Sequence, residues 1–197
     1  MDQKHYEKIT DQMAFYLSQI LPKRPNFKRY YDPQEQNYID TLTWENCLEL
    51  RVDAVITLGI SAYPFYRGES CMIDRGIEML AVCRSEDREM FHTILAVCAF
   101  EVIDQKRFAA AGIIFRDVIS ICNPTLEMKH ILFDLPSLVP GELVNIPIEE
   151  KNISWLQIIP VSETEVLYAE ENGVKSLFEL LETKNVDITD LNRKSVI

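Results

Sequence analysis

The chain has 197 residues, of which 47% are hydrophobic, so it can bury a substantial core without disulfides or a structural metal. Its net charge of −11 disfavours nucleic acids and anionic membranes as direct partners, because binding to either depends on cationic side chains. A basic protein is the partner that this charge favours.

Cysteine usage and hydropathy indicate where the protein acts. The five cysteines are odd in number and include no C-x-x-C pair, which argues against a disulfide framework and fits a reducing compartment. No apolar run approaches the roughly 18 residues that cross a bilayer. The polar N-terminus lacks the layout of a secretory signal. We therefore expect a cytoplasmic protein without a membrane span.

The first 36 residues are predicted to form one helix and a connector. Residues 6–21 place apolar side chains at helical spacing, and Pro22 ends the pattern. Residues 23–36 mix prolines with basic and aromatic residues, which predicts an irregular connector.

Residues 37–161 are predicted to form strands around one buried helix. The runs that predict strands before the C-terminal unit cover residues 38–44, 49–60, 77–83, 113–121, 130–135 and 143–148. Residues 63–75 connect two of these strands and are expected to form a hairpin. Ser85 is expected to cap a helix that is apolar around much of its circumference, which is typical of a central buried helix.

The C-terminal segment predicts a strand, two helices and a polar tail. Residues 153–159 form an apolar, β-branched run, and Pro160 is expected to end this strand because it lacks an amide donor. Ser162 and Glu165 have the spacing of a capping box, so a helix should begin between them. Gly173 is expected to close that helix before a second one begins.

The order of these elements predicts an α+β fold, in which helices pack against a mixed, mostly antiparallel sheet. We expect a single domain over residues 1–197. Its parts are an N-terminal helix and connector (1–36), a core (37–161) and C-terminal helices with a tail (162–197).

Motifs for catalysis or for cofactor and metal binding are missing from the sequence. The glycines are scattered rather than clustered as in a phosphate-binding loop, and no G-x-S-x-G or H-E-x-x-H pattern occurs. Cys98 with His92 or His130 is the one candidate for thiol catalysis, but its apolar neighbours favour a buried hydrophobe. We therefore expect no catalytic residues, no cofactor and no metal.

The C-terminal motifs resemble the signature of the suppressor-of-fused-like domain family. The matching positions are Trp155, Pro160, Ser162, Glu165, Gly173, Leu180, Leu181, Arg193, Ser195 and Val196. Residues 108–136 resemble the family's central pair of strands, and the resemblance extends over about residues 77–196.

The resemblance implies a binding function. Bacterial proteins similar to this one are commonly immunity proteins of polymorphic toxin systems, and the nearest likeness is to antitoxins paired with LXG-type toxins, whose C-terminal domains are often nucleases. By this resemblance the chain would neutralise a basic toxin domain by stoichiometric blockade, without turnover. The alternative is a regulatory protein that sequesters a peptide segment of a partner such as a transcription factor, for example by strand addition. A third hypothesis is an enzyme whose site the sequence does not reveal.

Acidic residues are concentrated near the C-terminus and supply candidate partner contacts. Residues 142–197 hold 11 acidic and 5 basic side chains, whereas residues 1–141 hold 20 and 15. An acidic face of this kind can steer a cationic domain into contact. The candidate partner-binding residues are Glu149, Glu150, Glu170, Glu171, Asp187 and Asp190.

Overall fold

The computed structural model describes residues 3–20, 26–68, 71–138, 145–148 and 151–197. The described helices are α1 (Gln3–Ile20), α2 (Arg88–Ile103), α3 (Val118–Cys122), α4 (Glu163–Asn172) and α5 (Val174–Thr183). The described strands are β1 (Asn26–Tyr31), β2 (Tyr38–Trp44), β3 (Val52–Leu58), β4 (Phe65–Arg67), β5 (Cys71–Ile73), β6 (Gly76–Arg84), β7 (Ile114–Phe115), β8 (Met128–Asp134), β9 (Asn145–Ile148) and β10 (Lys151–Ser162).

The main sheet has the strand order β1-β2-β3-β6-β10-β8-β7, and β9 pairs with the first part of β10. All of its pairings are antiparallel except that between β10 and β6. The predicted α+β fold with a mostly antiparallel sheet is therefore confirmed. The expected hairpin in residues 63–75 is also present, as the separate pair β4–β5.

Helices α1 and α2 cover opposite faces of the sheet. Thr41 and Thr43 of β2 hydrogen-bond to His92 of α2. Strand alternation places Tyr38 of β2 on the opposite face, where its ring contacts the Tyr6 ring of α1. Helix α2 is the central buried helix that its sequence predicts, and the main core lies between it and the sheet. Helix α1 adds an apolar stripe on the other face.

The C-terminal unit builds a second, smaller core. Helices α4 and α5 bury Val166 and Leu177 against Leu132 of β8 and Ile159 of β10. Gly173 has a φ of 89° between the two helices, a conformation that favours glycine. Both predicted helices and the predicted closing role of Gly173 are confirmed. Packing in this second core fixes the position of α4 and α5 on the sheet.

The prediction of an irregular connector was wrong for residues 26–31, which form β1. This strand pairs with β2 along its whole length. Most of its side chains are exposed, so the apolar alternation that marks a half-buried strand is missing. Backbone pairing at the edge of the sheet, rather than burial of side chains, defines this element.

The prediction of one strand over residues 113–121 was also wrong. Strand β7 covers only Ile114 and Phe115, and Asp117 then adopts a left-handed conformation with a φ of 64°. This residue redirects the chain into α3, which buries Val118 and Ile119. The β-branched residues suggested a strand, but tertiary packing overrode their local preference.

Pro160 does not end its strand, contrary to prediction, because β10 continues to Ser162. Pairing of β10 with β6 ends at Gln157, so beyond that residue β8 is the one strand that pairs with β10 among the described strands. The Pro160 carbonyl accepts a hydrogen bond from Arg193 and therefore faces away from β8. The Pro160 nitrogen points to the same side as this carbonyl, away from β8. No described strand pairs with β10 there, so the missing amide hydrogen interrupts no ladder.

The predicted start of α2 also needs correction. The helix begins at Arg88, with Asp87 at its N-cap position, and Ser85 does not cap it. The Ser85 amide instead donates to the Arg51 carbonyl at 2.9 Å, which ties the end of β6 to the turn between β2 and β3. The acidic residues of this segment suggested an earlier start than packing allows.

Candidate partner-binding surface

A buried ion pair anchors the C-terminal tail to the sheet. Arg193 donates from Nη1 to Glu165 Oε1 at 2.6 Å and from Nη2 to Glu165 Oε2 at 2.8 Å. Nη2 also donates to the Pro160 carbonyl at 2.8 Å. Both side chains are buried, so the bidentate pair holds the tail against α4 and β10.

Glu165 also forms the capping box that the sequence predicts. Its backbone amide donates to Ser162 Oγ at 3.2 Å, and its Oε2 accepts from the Ser162 amide at 2.9 Å. The Val196 amide donates to its Oε1 at 3.0 Å. One carboxylate therefore fixes both the start of α4 and the end of the chain, which holds the outward face of α4 in a defined position.

The outward face of α4 is acidic around one apolar residue. Glu163, Leu167, Glu170 and Glu171 are exposed and are spaced so that they form one stripe. Leu167 is 51% exposed between these carboxylates. We call these four residues the α4 surface.

Arg116 organises part of the α4 surface. It donates to Glu163 Oε1 at 3.1 Å and to Glu170 Oε1 at 2.6 Å. These ion pairs are exposed and add little stability, but they orient both carboxylates. Arg116, with a smaller contribution from His130, lowers the pKa of Glu163. Glu163 therefore keeps its negative charge below the usual range of a glutamate.

His130 supports Glu163 from the protein interior. Its Nδ1 accepts from the Asp117 amide at 2.8 Å, which leaves the hydrogen on Nε2 when the ring is neutral. Nε2 lies 2.7 Å from Glu163 Oε2. Contacts from Arg116 and His130 thus hold the Glu163 carboxylate on both of its oxygens.

Two of the predicted partner-binding residues, Glu170 and Glu171, lie on the α4 surface. Both are exposed; Glu170 binds Arg116, and Glu171 has no ion pair within the described residues. Two others, Glu149 and Glu150, lie outside the described residues.

The remaining two predicted residues, Asp187 and Asp190, lie in the tail and hold a turn. They bind Arg84 at 2.8 and 3.0 Å. Asp187 also accepts from the backbone amide and hydroxyl of Thr189 at 3.0 and 2.6 Å. These two carboxylates lie in the tail, apart from Glu170 and Glu171 on α4. Their bonds to Arg84 and Thr189 give them a local structural role.

Three parts of this surface were not predicted from the sequence as partner contacts: Glu163, Leu167 and Arg116. The spacing from the predicted cap could have placed Glu163 and Leu167 on the same helix face as Glu170. Arg116 gave no comparable signal, because it lies 47 residues before Glu163 and joins it only in the folded chain.

Another acidic residue, Glu78, is buried in the core and accepts hydrogen bonds from the backbone and from two hydroxyl groups. Its carboxylate accepts from Thr57 Oγ1 at 2.7 Å, from the Gly59 amide at 2.9 Å and from Ser61 Oγ at 2.6 Å. Burial raises its pKa. These contacts secure the turn that follows β3.

The two histidines considered as partners of Cys98 are engaged elsewhere. His92 uses both ring nitrogens on Thr41 and Thr43, at 2.7 and 2.9 Å, and the nitrogens of His130 are occupied as described above. Burial lowers the pKa of His92 to about 4 and raises that of the Cys98 thiol. This arrangement supports structural roles for all three residues.

An open cleft of about 490 Å³ lies between the N-terminal end of α1 and the β4–β5 hairpin, and is mostly apolar. Within the described ranges, no group of three or more His, Cys, Asp or Glu residues could hold a metal ion. None of the helices described is both long and apolar enough to span a bilayer.

The fold and this surface define an α+β domain with an ordered acidic helix on its exterior. A family model described as Suppressor of fused protein (SUFU) matches residues 35–194, and the chain belongs to this family. The resemblance seen in the C-terminal motifs is therefore confirmed.

A curated relative extends the comparison to nearly the whole chain. Immunity protein YqcF of Bacillus subtilis (strain 168) is 33% identical over 175 residues, which are 88% of this chain and 90% of that protein. The likeness to this relative therefore extends over nearly the full length of both proteins.

Solved structures share the fold. A SUFU homolog from Neisseria gonorrhoeae FA 1090 has a TM-score of 0.68 at 16% identity, covering 98% of this chain and 97% of the other. A Sufu-Fu complex structure also has a TM-score of 0.68, at 12% identity and with 96% and 92% coverage. Drosophila Suppressor of Fused has a TM-score of 0.65 at 13% identity, covering 93% of this chain and 50% of its own. At these identities the likeness shows the fold alone.

Proposed function

We propose that this protein is an immunity protein, which binds the toxic C-terminal domain of a cognate LXG-type toxin and neutralises it. The observation that carries this proposal is the 33% identity to an immunity protein over 88% of the chain. The expected toxic activity is that of a nuclease, and the expected place of action is the cytoplasm.

The proposed mechanism is stoichiometric blockade without turnover. A nuclease domain needs cationic side chains to hold phosphate, so it presents a positive surface. The net charge of −11 on this chain attracts such a surface over long range and speeds association. Once bound, the immunity protein would cover the surface that the nucleic acid needs.

The acidic residues are proposed to guide this encounter. Glu170 and Glu171 lie exposed on an ordered helix, which supports a role for them in contact with the partner. Glu149, Glu150, Asp187 and Asp190 remain proposed contacts, with the last two acting alongside their bonds to Arg84. Such exposed charges act mainly on the rate of association.

The test is growth rescue combined with purification. The toxic C-terminal domain encoded beside this gene is expressed with and without this protein, and the two are purified together. We expect restored growth and a complex in a one-to-one ratio. If both proteins are folded but neither rescue nor a complex is observed, the proposal fails.

The second candidate function is sequestration of a linear peptide segment, for example from a transcription factor. The observation that favours it is the edge position of β1, since an extended peptide can add to such a strand. The two functions differ in the partner. Binding of a short synthetic segment as tightly as the whole partner would support sequestration, whereas a requirement for a folded basic domain would support immunity.

A further inference from the structure

Strand β1 leaves one side of its backbone without a strand partner in the described part of the chain. It pairs with β2 over all six residues, from Asn26 to Tyr31, and stands first in the strand order. In an edge strand every second residue directs its N–H and C=O groups outward. This edge can therefore accept an added strand.

Uncompensated charges on an edge strand usually prevent pairing with another chain, but this protection is weak at β1. Lys28 and Arg29 would ordinarily discourage pairing with another chain. Lys28 binds Glu89 at 2.6 Å, however, and Arg29 binds Asp40 through two contacts of 2.8 Å. Both cations are thus neutralised by their own chain.

Aromatic side chains are exposed along the same strand. Phe27 and Tyr31 are 57% and 56% exposed. Strand alternation places both on the face that α1 covers, together with Arg29. They offer apolar area to a chain lying beside β1.

A groove of about 270 Å³ lies between α1 and this strand, and its helix side is acidic. Glu7 and Asp11 line the groove opposite Phe27. Glu7 accepts a hydrogen bond from the neutral Gln3 side chain at 3.0 Å, and neither carboxylate has an ion pair among the described residues. Phe15, which is 71% exposed, follows on the same stripe of α1 as Asp11. The groove therefore combines unpaired negative charge with aromatic surface.

We infer that the β1 edge, meaning β1 together with the groove beside α1, receives an extended basic segment of the partner. The backbone of that segment pairs with the free side of β1. Its Lys or Arg side chains lie against Glu7 and Asp11, and its apolar side chains lie against Phe27 and Tyr31. The inference rests on the proposed function and names the contact through which the toxin domain is held.

This contact is separate from the α4 surface. Helix α4 packs against β8 and β10, whereas β1 begins the sheet at the other end of the strand order. Exposed acids on α4 steer the approach and affect the association rate. Groups covered at the β1 edge govern dissociation.

The first test is hydrogen–deuterium exchange of the whole protein, free and bound to the toxic C-terminal domain encoded beside its gene. We expect the amides of residues 26–31 to exchange more slowly in the complex, because outward amides gain acceptors. A complex that leaves the exchange of these amides unchanged would overturn the inference but not the immunity function.

The second test is a charge-reversed pair, Glu7→Lys with Asp11→Lys. Its matched control is Glu49→Lys with Glu86→Lys, which changes the net charge equally at exposed residues without side-chain hydrogen bonds in the described structure. We expect the groove variant to bind the toxin domain at least about tenfold more weakly than the control, mainly through faster dissociation. Equal affinities, with both variants folded by circular dichroism, would overturn the inference.

Two further outcomes can be distinguished from those above. If the unmutated protein forms no complex with the toxin domain, the proposed function fails and this inference fails with it. If the free protein is a dimer by light scattering and its residues 26–31 are already protected from exchange, a second copy occupies the edge. That result would overturn the assignment to the toxin segment.

Discussion

At the scale of single residues, the pairing of Glu165 with Arg193 organises the C-terminal unit. The capping role of Glu165 could be predicted, because Ser162 and Glu165 are close in sequence. Its ion pair with Arg193 could not, because 28 residues separate the two and no local pattern encodes a contact at that distance.

Replacing Arg193 with alanine is expected to destabilise the fold strongly. The change leaves the Glu165 carboxylate buried without its cation, which costs about 3–5 kcal/mol for a buried pair. Urea unfolding measures the free energy directly. Arg193→Met combined with Glu165→Gln should recover part of the loss, because no unpaired charge stays buried. A loss below about 1 kcal/mol for the alanine variant would contradict this role.

His92 is expected to make stability depend on pH. Burial lowers its pKa from 6.5 to about 4 in the folded chain, and the nearby charges of Lys28, Arg88 and Glu89 modify this effect. The unfolded chain therefore binds a proton first as the pH falls below 6.5. Stability should be unaffected above pH 7 and should decline between pH 6.5 and 4, by about 2 kcal/mol at pH 5.

Urea unfolding from pH 7.5 to pH 5 measures this dependence, and His92→Gln is the matched control. The control lacks the titrating ring, so the difference in unfolding free energy between the two proteins should shrink as the pH falls. Parallel pH profiles for the two proteins would show that His92 does not carry the effect.

At the scale of elements, sequence patterns found those that bury an apolar face or carry a cap. Helix α2, strand β3 and the capped helix α4 are examples, since each has a dense apolar run or a short-range capping signal. Strand β1 and helix α3 escaped prediction. The first is defined by pairing at an edge, and the second by a left-handed residue and local packing.

Charge reversal on α4 is expected to slow association with the toxin domain. Glu170→Lys with Glu171→Lys removes two exposed negative charges and adds two positive ones, so steering weakens. Stopped-flow kinetics at low salt should give an association rate reduced by about three- to tenfold, with a smaller change in dissociation. The control pair Glu49→Lys and Glu86→Lys should have a weaker effect. Equal rates for both pairs would remove the special role of α4.

At the scale of the whole molecule, the α+β class followed from the order of the elements, and the family followed from the C-terminal motifs. The candidate surfaces could be predicted only in part from the sequence. Net charge predicted a basic partner, and Glu170 and Glu171 were found as exposed acids. The Arg116 bridge and the β1 edge depend on contacts between distant segments, which composition and local spacing do not encode.

The immunity function is tested most directly by rescue of growth by this protein in cells that express the toxic domain encoded beside it, with the complex isolated from the same cells. We expect survival and a one-to-one complex whose affinity falls as salt is raised, because opposite charges attract the two proteins. Continued toxicity, with both proteins folded and present but not associated, would contradict the immunity function.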